Sequence, residues 1–278
     1  MSLSKKISKR LKSFNKIAVW GAGGLANSAI NNWLDSSKIS CVIDGTDMKT
    51  GQKLCGLDVC SPEILIDGDI DCIIICSSNL AEVRAQISKM KYKSAIFYIY
   101  ELFFDPDQHI GELEKLYLDI QATKNSNLFK LFITKPQVMV NVSYRLCRAL
   151  RSKIMLRPLY WPMWFLHYLL CWITSIQLPL DFDAGPGLVF AHPGTIVLTG
   201  RASVGAFFTI YHCCTVGTTT SGVAPVIGDF VTIYAGSHVL GGCAIGSYSK
   251  VGAMSLVLDT DCPVNSTLIG IPAKVVTF

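Results

Sequence analysis

The sequence predicts an α/β N-terminal domain with an open parallel sheet, a helical linker and a C-terminal parallel β-helix. Three observations lead to this fold class. Apolar strand-like segments alternate with helical segments over residues 15–104, helical segments fill 105–176, and an aliphatic residue returns every six positions over much of 177–278. The length of 278 residues fits two domains, and a composition that is 50% hydrophobic supports a sizeable core.

The N-terminal domain is predicted from the order of its strands and helices. Residues 16–20 (KIAVW) form a buried strand, 40–46 (SCVIDGT) a second one and 71–79 (DCIIICSSN) a later, strongly apolar one. A helical stretch follows the first strand, and another follows the third before a final strand, SAIFYIY. This order is typical of an open parallel α/β sheet.

A glycine-rich turn follows the first strand. Its sequence, GAGGLA, has the G-x-G-x-x-A pattern, in which glycines permit a sharp turn and let a phosphate approach the backbone at a helix N-terminus. Asp44 lies 23 residues after Gly21, where a carboxylate can hold a ribose hydroxyl. We therefore expect a Rossmann-like domain that binds a nucleotide or nucleotide-sugar, with a turn that merely packs as the alternative. The candidate binding residues are Gly21, Gly23, Gly24, Asp44 and Ser77.

The linker is predicted to be helical. The segment GELEKLYLDIQ forms an amphipathic helix, and VSYRLCRALRSKIM places three arginines on adjacent turns. Residues 158–180 contain no charged side chain, which permits a membrane span by length, but Pro158, Pro162 and Pro179 interrupt them. We expect a buried or membrane-contacting helix here.

Positive charge concentrates in the middle of the chain. The net charge is +5, and residues 120–180 hold eight basic side chains and no acidic one. The basic residues are Lys124, Lys130, Lys135, Arg145, Arg148, Arg151, Lys153 and Arg157. Three interpretations remain: a solvated face, a site for a phosphate-bearing substrate, or peripheral contact with an anionic membrane surface through residues 120–176.

The six-residue period predicts the third domain. Ten aliphatic residues follow it: Leu198, Val204, Ile210, Val216, Ile227, Ile233, Val239, Ile245, Val251 and Val257. Neither a helix nor a flat strand has this period, whereas three six-residue sides per turn make a triangular coil with each periodic residue inside. The period breaks once, so Thr218–Pro225 is predicted to be a loop pushed out of the coil.

Cysteine usage and the N-terminus indicate the compartment. The eleven cysteines include no CxxC pair, which suits thiols in a reducing cytosol, and the basic start MSLSKKISKRLKS lacks the apolar core of a secretory signal. We expect a cytoplasmic protein, with peripheral membrane contact as an option. No metal site and no nucleic-acid partner are predicted.

Two histidines in the coil are the candidate catalytic residues. His192 in FAHPGTIV and His212 in IYHCCTVG both stand beside small-residue corners. Acyl transfer from a thioester to a hydroxyl or amine needs a base that works near neutral pH, which imidazole can be. His109, His167 and His238 lack such surroundings and are predicted to be structural.

The coil closely resembles the left-handed β-helix acyltransferases, specifically the branch of serine acetyltransferases and capsule or O-antigen sugar acetyltransferases. The resemblance covers about 95 residues and includes H-P-G-x-I-V, I-x-H-x-x-T-V-G and G-I-P-A-K in order. It implies a homotrimer with acetyl-CoA as co-substrate in the groove between neighbouring coils. By the same resemblance His192 is the catalytic base, and His212 matches a second histidine of the family's pattern. The implied cofactor-binding residues are Ala235, Gly236, Gly252, Ala253, Gly270, Pro272 and Lys274.

Departures from serine acetyltransferases point away from serine as the acceptor. Ala191 stands where that family has an acid before the base, Gln177 where it has the acid that orients the base, and Val223–Ala224 where it has an Arg-His pair. Without these groups the charges of a free amino acid would be left unpaired. Asp181 and Asp183 are nearby acids whose position the sequence does not fix.

The function that the sequence predicts is therefore acetyl-CoA-dependent acetylation of a sugar, either nucleotide-linked or a polysaccharide precursor, in surface polysaccharide biosynthesis. The N-terminal domain is loosely similar to the one that precedes the β-helix in sialic-acid O-acetyltransferases and UDP-amino-sugar N-acetyltransferases, which favours a nucleotide-sugar. The alternatives are serine O-acetylation and a non-catalytic trimeric scaffold.

Overall fold

The computed structural model describes residues 3–46, 48–67, 69–77, 80–102, 110–123, 134–151 and 154–276. It divides the chain into two compact units, residues 1–109 and 110–278. The predicted boundary at 104 and His109 lie outside the described residues. The helices of the predicted linker fall in the second unit, together with the coil.

The first unit contains a six-stranded sheet with helices between its strands. Its strands are β1 (Ile17–Trp20), β2 (Ile39–Ile43), β3 (Lys53–Leu54), β4 (Leu57–Cys60), β5 (Cys72–Ile75) and β6 (Ala95–Tyr98). Its helices are α1 (Leu3–Arg10), α2 (Gly24–Asn32), α3 (Ile64–Asp67) and α4 (Leu80–Lys89). The strand order is β3-β4-β2-β1-β5-β6, and every pair is parallel except β3 with β4. The open parallel α/β sheet is thus present, while β3 and β4 were not predicted.

Within its described residues, the second unit begins with the α-helices α5 (Glu112–Ala122), α6 (Pro136–Arg151) and α7 (Arg157–Thr174). Helix α7 ends at Ser175, whose backbone is left-handed with φ 55°. One side of α7 packs against α6 and the first coil through buried His167, Cys171 and Thr174, and the other side is exposed. The expectation of a buried helix therefore holds for one side of α7 only. Across the described ranges, no helix has both the length and the apolarity that crossing a membrane requires.

The coil is made of three parallel sheets that the chain visits in turn. The first is β7 (Ile176–Gln177), β10 (Ile196–Leu198), β13 (Cys214–Gly217), β16 (His238–Leu240) and β19 (Leu256–Leu258). The second is β8 (Asp183–Ala184), β11 (Ser203–Val204), β14 (Val226–Ile227) and β17 (Ala244–Ile245). The third is β9 (Val189–Phe190), β12 (Thr209–Ile210), β15 (Thr232–Ile233), β18 (Lys250–Val251) and β20 (Thr267–Gly270). A final strand, β21 (Ala273–Val276), pairs antiparallel with β20.

The predicted six-residue period is confirmed by burial. All ten periodic aliphatic residues are between 0 and 5% exposed and form one core inside the coil. Residues 218–225 connect β13 to β14 without strand structure, as predicted for the loop. The left hand of the coil remains an expectation from the resemblance.

A buried ion pair fixes α5 and α6 to the first coil. Arg145 is 0% exposed and Asp119 1%, and Nε of Arg145 donates to a carboxylate oxygen of Asp119 over 2.8 Å. The same carboxylate accepts hydrogen bonds from the backbone N–H groups of Gly187 and Leu188. The guanidinium also donates to the carbonyl of Ala184 at 3.0 Å.

The basic run is therefore only partly a surface feature. Arg145 is buried and pairs with Asp119 of α5. Arg148 is half-buried, and its Nε lies 3.2 Å from a carboxylate oxygen of Glu112, also on α5. An exposed charged face at these two positions, which the sequence suggested, is wrong. Arg151 and Arg157 are exposed, and Lys135 is partly exposed. Lys124, Lys130 and Lys153 lie outside the described residues.

Candidate active site

One corner of the coil carries both candidate histidines. We call it the histidine corner: residues 191–195, 211–213, 234–237 and 252–255, which connect the third sheet to the first. Phe190 pairs in register with Ile210, Ile210 with Ile233, and Ile233 with Val251. Two positions after each of these come, in turn, His192, His212, Ala235 and Ala253. The corner therefore stacks these four residues on successive coils.

The two imidazoles are neighbours. Their ring centroids are 5.8 Å apart, with the rings at 73°. His192 is exposed and His212 half-buried. Nδ1 of His212 is buried and has no hydrogen-bond partner among the described residues. Gly194 makes room for this pair: its φ is +141°, and a Cβ there would lie 3.0 Å from Cβ of His212. An exposed imidazole beside a second one can act as a base toward a ligand in solvent.

Two tyrosines and one amide complete the surroundings of His192, and none was predicted. The ring of Tyr211 lies 5.8 Å from His192, and the ring of Tyr234 lies 5.3 Å from Tyr211. Burial raises the pKa of Tyr234, which favours its neutral form. From α6, Gln137 is almost fully buried and donates to the carbonyl of Ala191 over 3.3 Å, while its own carbonyl oxygen has no partner within the described segments. The tyrosines could have been found from register, since each directly follows a periodic isoleucine.

The predicted cofactor residues continue along the same edge. Gly236 donates its N–H to the carbonyl of His212 over 3.1 Å, and Ala235, Gly236, Gly252 and Ala253 are all at least partly exposed. Gly270 ends β20, the strand that pairs with β18 and so continues the stack by one more coil. Its N–H donates a hydrogen bond to Oγ of Ser255 over 3.1 Å.

The turn between β20 and β21 completes this edge. Pro272 lies in the turn, after a cis peptide bond, and Lys274 lies exposed on β21. The structure thus brings both histidines and the seven predicted cofactor residues to one edge of the coil.

The nearby acids do not reach this corner. Asp181 pairs with Arg151 at 2.8 Å, and Asp183 lies 3.7 Å from Arg148, so both acids contact arginines of α6. Gln177, at the position of the expected orienting acid, is exposed on β7. The four segments of the histidine corner contain no charged side chain. Val223 and Ala224 lie in the loop between β13 and β14.

The candidate nucleotide residues of the first unit meet at the carboxyl ends of three strands. Gly21 follows β1 with φ +114°, and a Cβ there would lie 3.0 Å from the carbonyl oxygen of Cys76, so glycine is required at the turn. Gly23 precedes α2, where a Cβ would meet no atom of the described residues within 4 Å, and the helix begins at Gly24. Ser77 follows β5.

Asp44 is engaged within this turn. Its carboxylate accepts from the N–H groups of Ala22 at 2.8 Å and Thr46 at 3.1 Å and pairs with Lys49 at 3.2 Å. Burial acts to raise the pKa of Asp44, but these hydrogen bonds hold it below its ordinary value. The nearby Ser78 and Asn79 lie outside the described residues. A nucleotide site at this turn stays a prediction.

The other described histidines differ from the pair. His167 is fully buried, with Nδ1 2.9 Å from Oγ of Ser143 and Nε2 2.9 Å from the carbonyl of Leu178, and burial lowers its pKa. These contacts fit the structural role predicted for it. His238 is exposed on β16. Where side chains are described, no group of three or more His, Cys, Asp or Glu residues could hold a metal ion.

Two family models match the chain. Residues 13–96 match the family described as C2185-like, N-terminal, and residues 224–259 match the bacterial transferase hexapeptide family of six repeats. Among curated proteins, the chain is 31% identical over 168 residues to a serine acetyltransferase of Helicobacter pylori, covering 59% of this chain and 94% of that protein.

Solved structures of serine acetyltransferases are also similar. One from Neisseria gonorrhoeae in complex with serine aligns with a TM-score of 0.52 and 25% identity, over 60% of this chain and 69% of that one. One from Brucella abortus in complex with coenzyme A aligns with a TM-score of 0.51 and 25% identity, over 59% and 67% of the two chains.

These relatives and the stacked repeats agree on the chemistry that the histidine corner allows. The chain uses acetyl-CoA as co-substrate and is an acyltransferase. Because it covers 94% of a relative to which it is 31% identical over 168 aligned residues, the chain belongs to the serine acetyltransferase family of hexapeptide-repeat transferases.

Proposed function

We propose that this protein transfers the acetyl group of acetyl-CoA to the side-chain hydroxyl of serine, with His192 as the general base. The observation that carries the proposal is the edge-on pair of His192 and His212, in a chain that is 31% identical over 168 residues to a serine acetyltransferase. A sugar acceptor, which the sequence favoured, has no such support among the relatives. Serine therefore becomes the first acceptor to test.

His192 performs the proton transfers of this reaction. Its exposed imidazole accepts the hydroxyl proton as the oxygen forms its bond to the acetyl carbonyl, and it returns that proton to the departing sulfur as the carbon–sulfur bond breaks. A backbone N–H of the corner stabilises the negative charge that develops on the carbonyl oxygen. His212 packs edge-on against His192.

The edge below the histidines suits the long, flexible CoA molecule, which supplies the activated acetyl group when bound. Ala235, Gly236 and Ala253 have small or no side chains there, so the backbone is accessible and its N–H and C=O groups can contact an extended chain. Gly270 and Pro272 would hold the nucleotide end, and the exposed ammonium of Lys274 would meet a phosphate. A groove between two coils of a homotrimer would enclose the ligand from the other side.

A sugar hydroxyl is the second candidate acceptor, favoured by the lack of charge at the histidine corner. Free serine carries an ammonium and a carboxylate, and burying either without a partner is costly. Ala191 and the loop residues Val223 and Ala224 offer neither sign of charge, whereas the partly exposed Tyr211 beside His192 offers a neutral polar group suited to hydroxyls. Nucleotide-linked sugars and polysaccharide precursors are the sugars to test first.

One assay separates these acceptors. Free CoA thiol is measured by a colorimetric reagent with acetyl-CoA plus either serine or a panel of nucleotide-sugars and oligosaccharides. Turnover with serine alone supports the proposal, and turnover only with a sugar replaces it by the second candidate. Calorimetry with acetyl-CoA addresses the scaffold alternative, since a protein that does not bind acetyl-CoA cannot be this enzyme.

The base is tested with three single variants. His192→Ala should lower kcat by about 10²- to 10⁴-fold, the usual contribution of general base catalysis, with acetyl-CoA affinity unchanged. His238→Ala is the matched control, because His238 is also an exposed histidine of the coil but lies outside the corner. If His192→Ala keeps full turnover while His212→Ala loses it, the base is His212.

A further inference from the structure

Helix α7 is apolar on both of its sides. Its inner side packs against the core of the second unit through Tyr160, Met163, His167, Leu170 and Cys171. Its outer side, which we call the α7 outer face, is exposed, each side chain by between 38 and 79%. The α7 outer face consists of Leu159, Trp161, Trp164, Phe165, Leu166, Tyr168, Leu169, Trp172 and Ile173.

The size of this face sets it apart from ordinary surface. With roughly 200 Å² for a fully exposed large side chain, the exposed fractions amount to about 1,000 Å². The largest apolar patch on a typical monomer is about 300–600 Å². No residue from 158 to 173 is an acid, a lysine or an arginine. A surface of this size and composition indicates a contact with an apolar partner.

The composition and the surrounding charge distinguish the kind of partner. Three tryptophans and a tyrosine have amphipathic rings, which are enriched where proteins meet the boundary between lipid headgroups and acyl chains. Exposed Arg157 begins the helix, and among the described residues it has no ion-pair partner, whereas the arginines of α6 each pair with an acid.

We propose that the α7 outer face docks on an anionic lipid surface. The inner side of the same helix is packed against protein from Tyr160 to Thr174, so the helix axis lies parallel to the membrane plane and only the outer side enters the boundary region. The aromatic and aliphatic side chains bind the acyl boundary, and Arg157 binds the anionic headgroups. The acetyltransferase site is thereby held close to a membrane surface.

The test is flotation of the purified full-length chain with vesicles, without detergent. Vesicles of phosphatidylcholine with 25% phosphatidylglycerol, a composition we choose as the anionic probe, are compared with pure phosphatidylcholine on the basis of bound fraction. We expect the protein to float with the anionic vesicles and its tryptophan fluorescence to shift to shorter wavelength. Arg157→Gln should weaken binding about five-fold, the usual contribution of one basic side chain near such a surface.

A matched pair of triple variants isolates the face. Trp161→Ser, Phe165→Ser and Ile173→Ser together should abolish flotation. Ile66→Ser, Val226→Ser and Val264→Ser, at positions of closely similar exposure outside the face, should leave it unchanged. Light scattering reports the mass of each protein. The proposal is overturned if the wild type does not float, or if the α7 triple variant floats equally well. A different result would identify the face as a subunit interface. In that case the wild type does not float, and the α7 triple variant has a lower mass than the wild type while the control triple variant does not.

Discussion

Burial decides what an ion pair contributes to stability, and this protein offers a controlled comparison on one helix. Arg145 and Arg151 both lie on α6, and each places a guanidinium nitrogen 2.8 Å from an aspartate oxygen. The side chains of Arg145 and Asp119 are 0% and 1% exposed, whereas those of Arg151 and Asp181 are 60% and 77% exposed. Burial acts against the charge on Arg145, but Asp119 and Glu112 hold its pKa above the ordinary value.

The expected cost of Arg145→Met follows from the bonds that disappear. Asp119 loses two hydrogen bonds from the guanidinium, at 2.8 and 3.4 Å, and keeps only two backbone N–H donors in a buried site. Hydrogen bonds to charged groups contribute about 1.5–3 kcal/mol each, and breaking a buried pair costs about 3–5 kcal/mol. We therefore expect Arg145→Met to lower the free energy of unfolding by about 3–5 kcal/mol. Arg151→Met should cost at most about 1 kcal/mol.

Urea denaturation followed by circular dichroism measures both values, taken from the transition of the second unit at an unchanged slope. Removing both partners, in Arg145→Met with Asp119→Leu, should cost less than the sum of the single changes because no buried charge remains unpaired. Equal losses from Arg145→Met and Arg151→Met would refute the reasoning, since burial would then make no difference.

Two further predictions concern pH and packing. Burial lowers the pKa of His167 in the folded protein. Below about pH 6.5 the unfolded chain therefore binds a proton that the folded chain does not. The free energy of unfolding should then fall with decreasing pH, by up to about 1.4 kcal/mol per pH unit. This fall should disappear in His167→Gln, and parallel pH curves for the two proteins would contradict it. Ile233→Ala, in the core of the coil, should lower the free energy of unfolding by about 2–5 kcal/mol. Val226→Ala, at a position that is 60% exposed, should change it by no more than about 0.5 kcal/mol. Similar losses from the two changes would argue against a core inside the coil.

The coil could be predicted from sequence because its period is a property of the backbone path. Every sixth residue must fill the interior, so residues at equivalent positions of successive coils, such as Ile233 and Val251, are aliphatic. Register then placed His192 and His212 on successive coils once the period was known. The four parallel strands β1, β2, β5 and β6 of the first unit were equally predictable, because a parallel sheet covered on both faces needs continuous apolar runs such as 72–75. The short strands β3 and β4 lack such runs and were missed.

The remaining features depend on contacts between distant segments, which leave no periodic trace. Arg145 meets an acid 26 positions earlier, and the composition of 120–180 gave no sign that its charge would be buried. Gln137, on the same helix as Arg145, reaches Ala191 of the coil across 54 positions. Hydropathy identified α7 as apolar but could not tell which of its sides would pack, because both are apolar.

Because the coils stack regularly, equivalent residues along the edge that begins at the histidine corner are evenly spaced. Neighbouring strands in a sheet are about 4.8 Å apart, so His192 and Gly270, four steps apart along the edge, lie roughly 19 Å from each other. Inserting or deleting one whole turn would change that span by a single increment while the hydrophobic interior stayed intact. The distance between the two ends of the edge can therefore change only in whole-coil steps. Evolution could adapt the edge to a longer or shorter ligand by adding or removing a coil, with both ends unchanged.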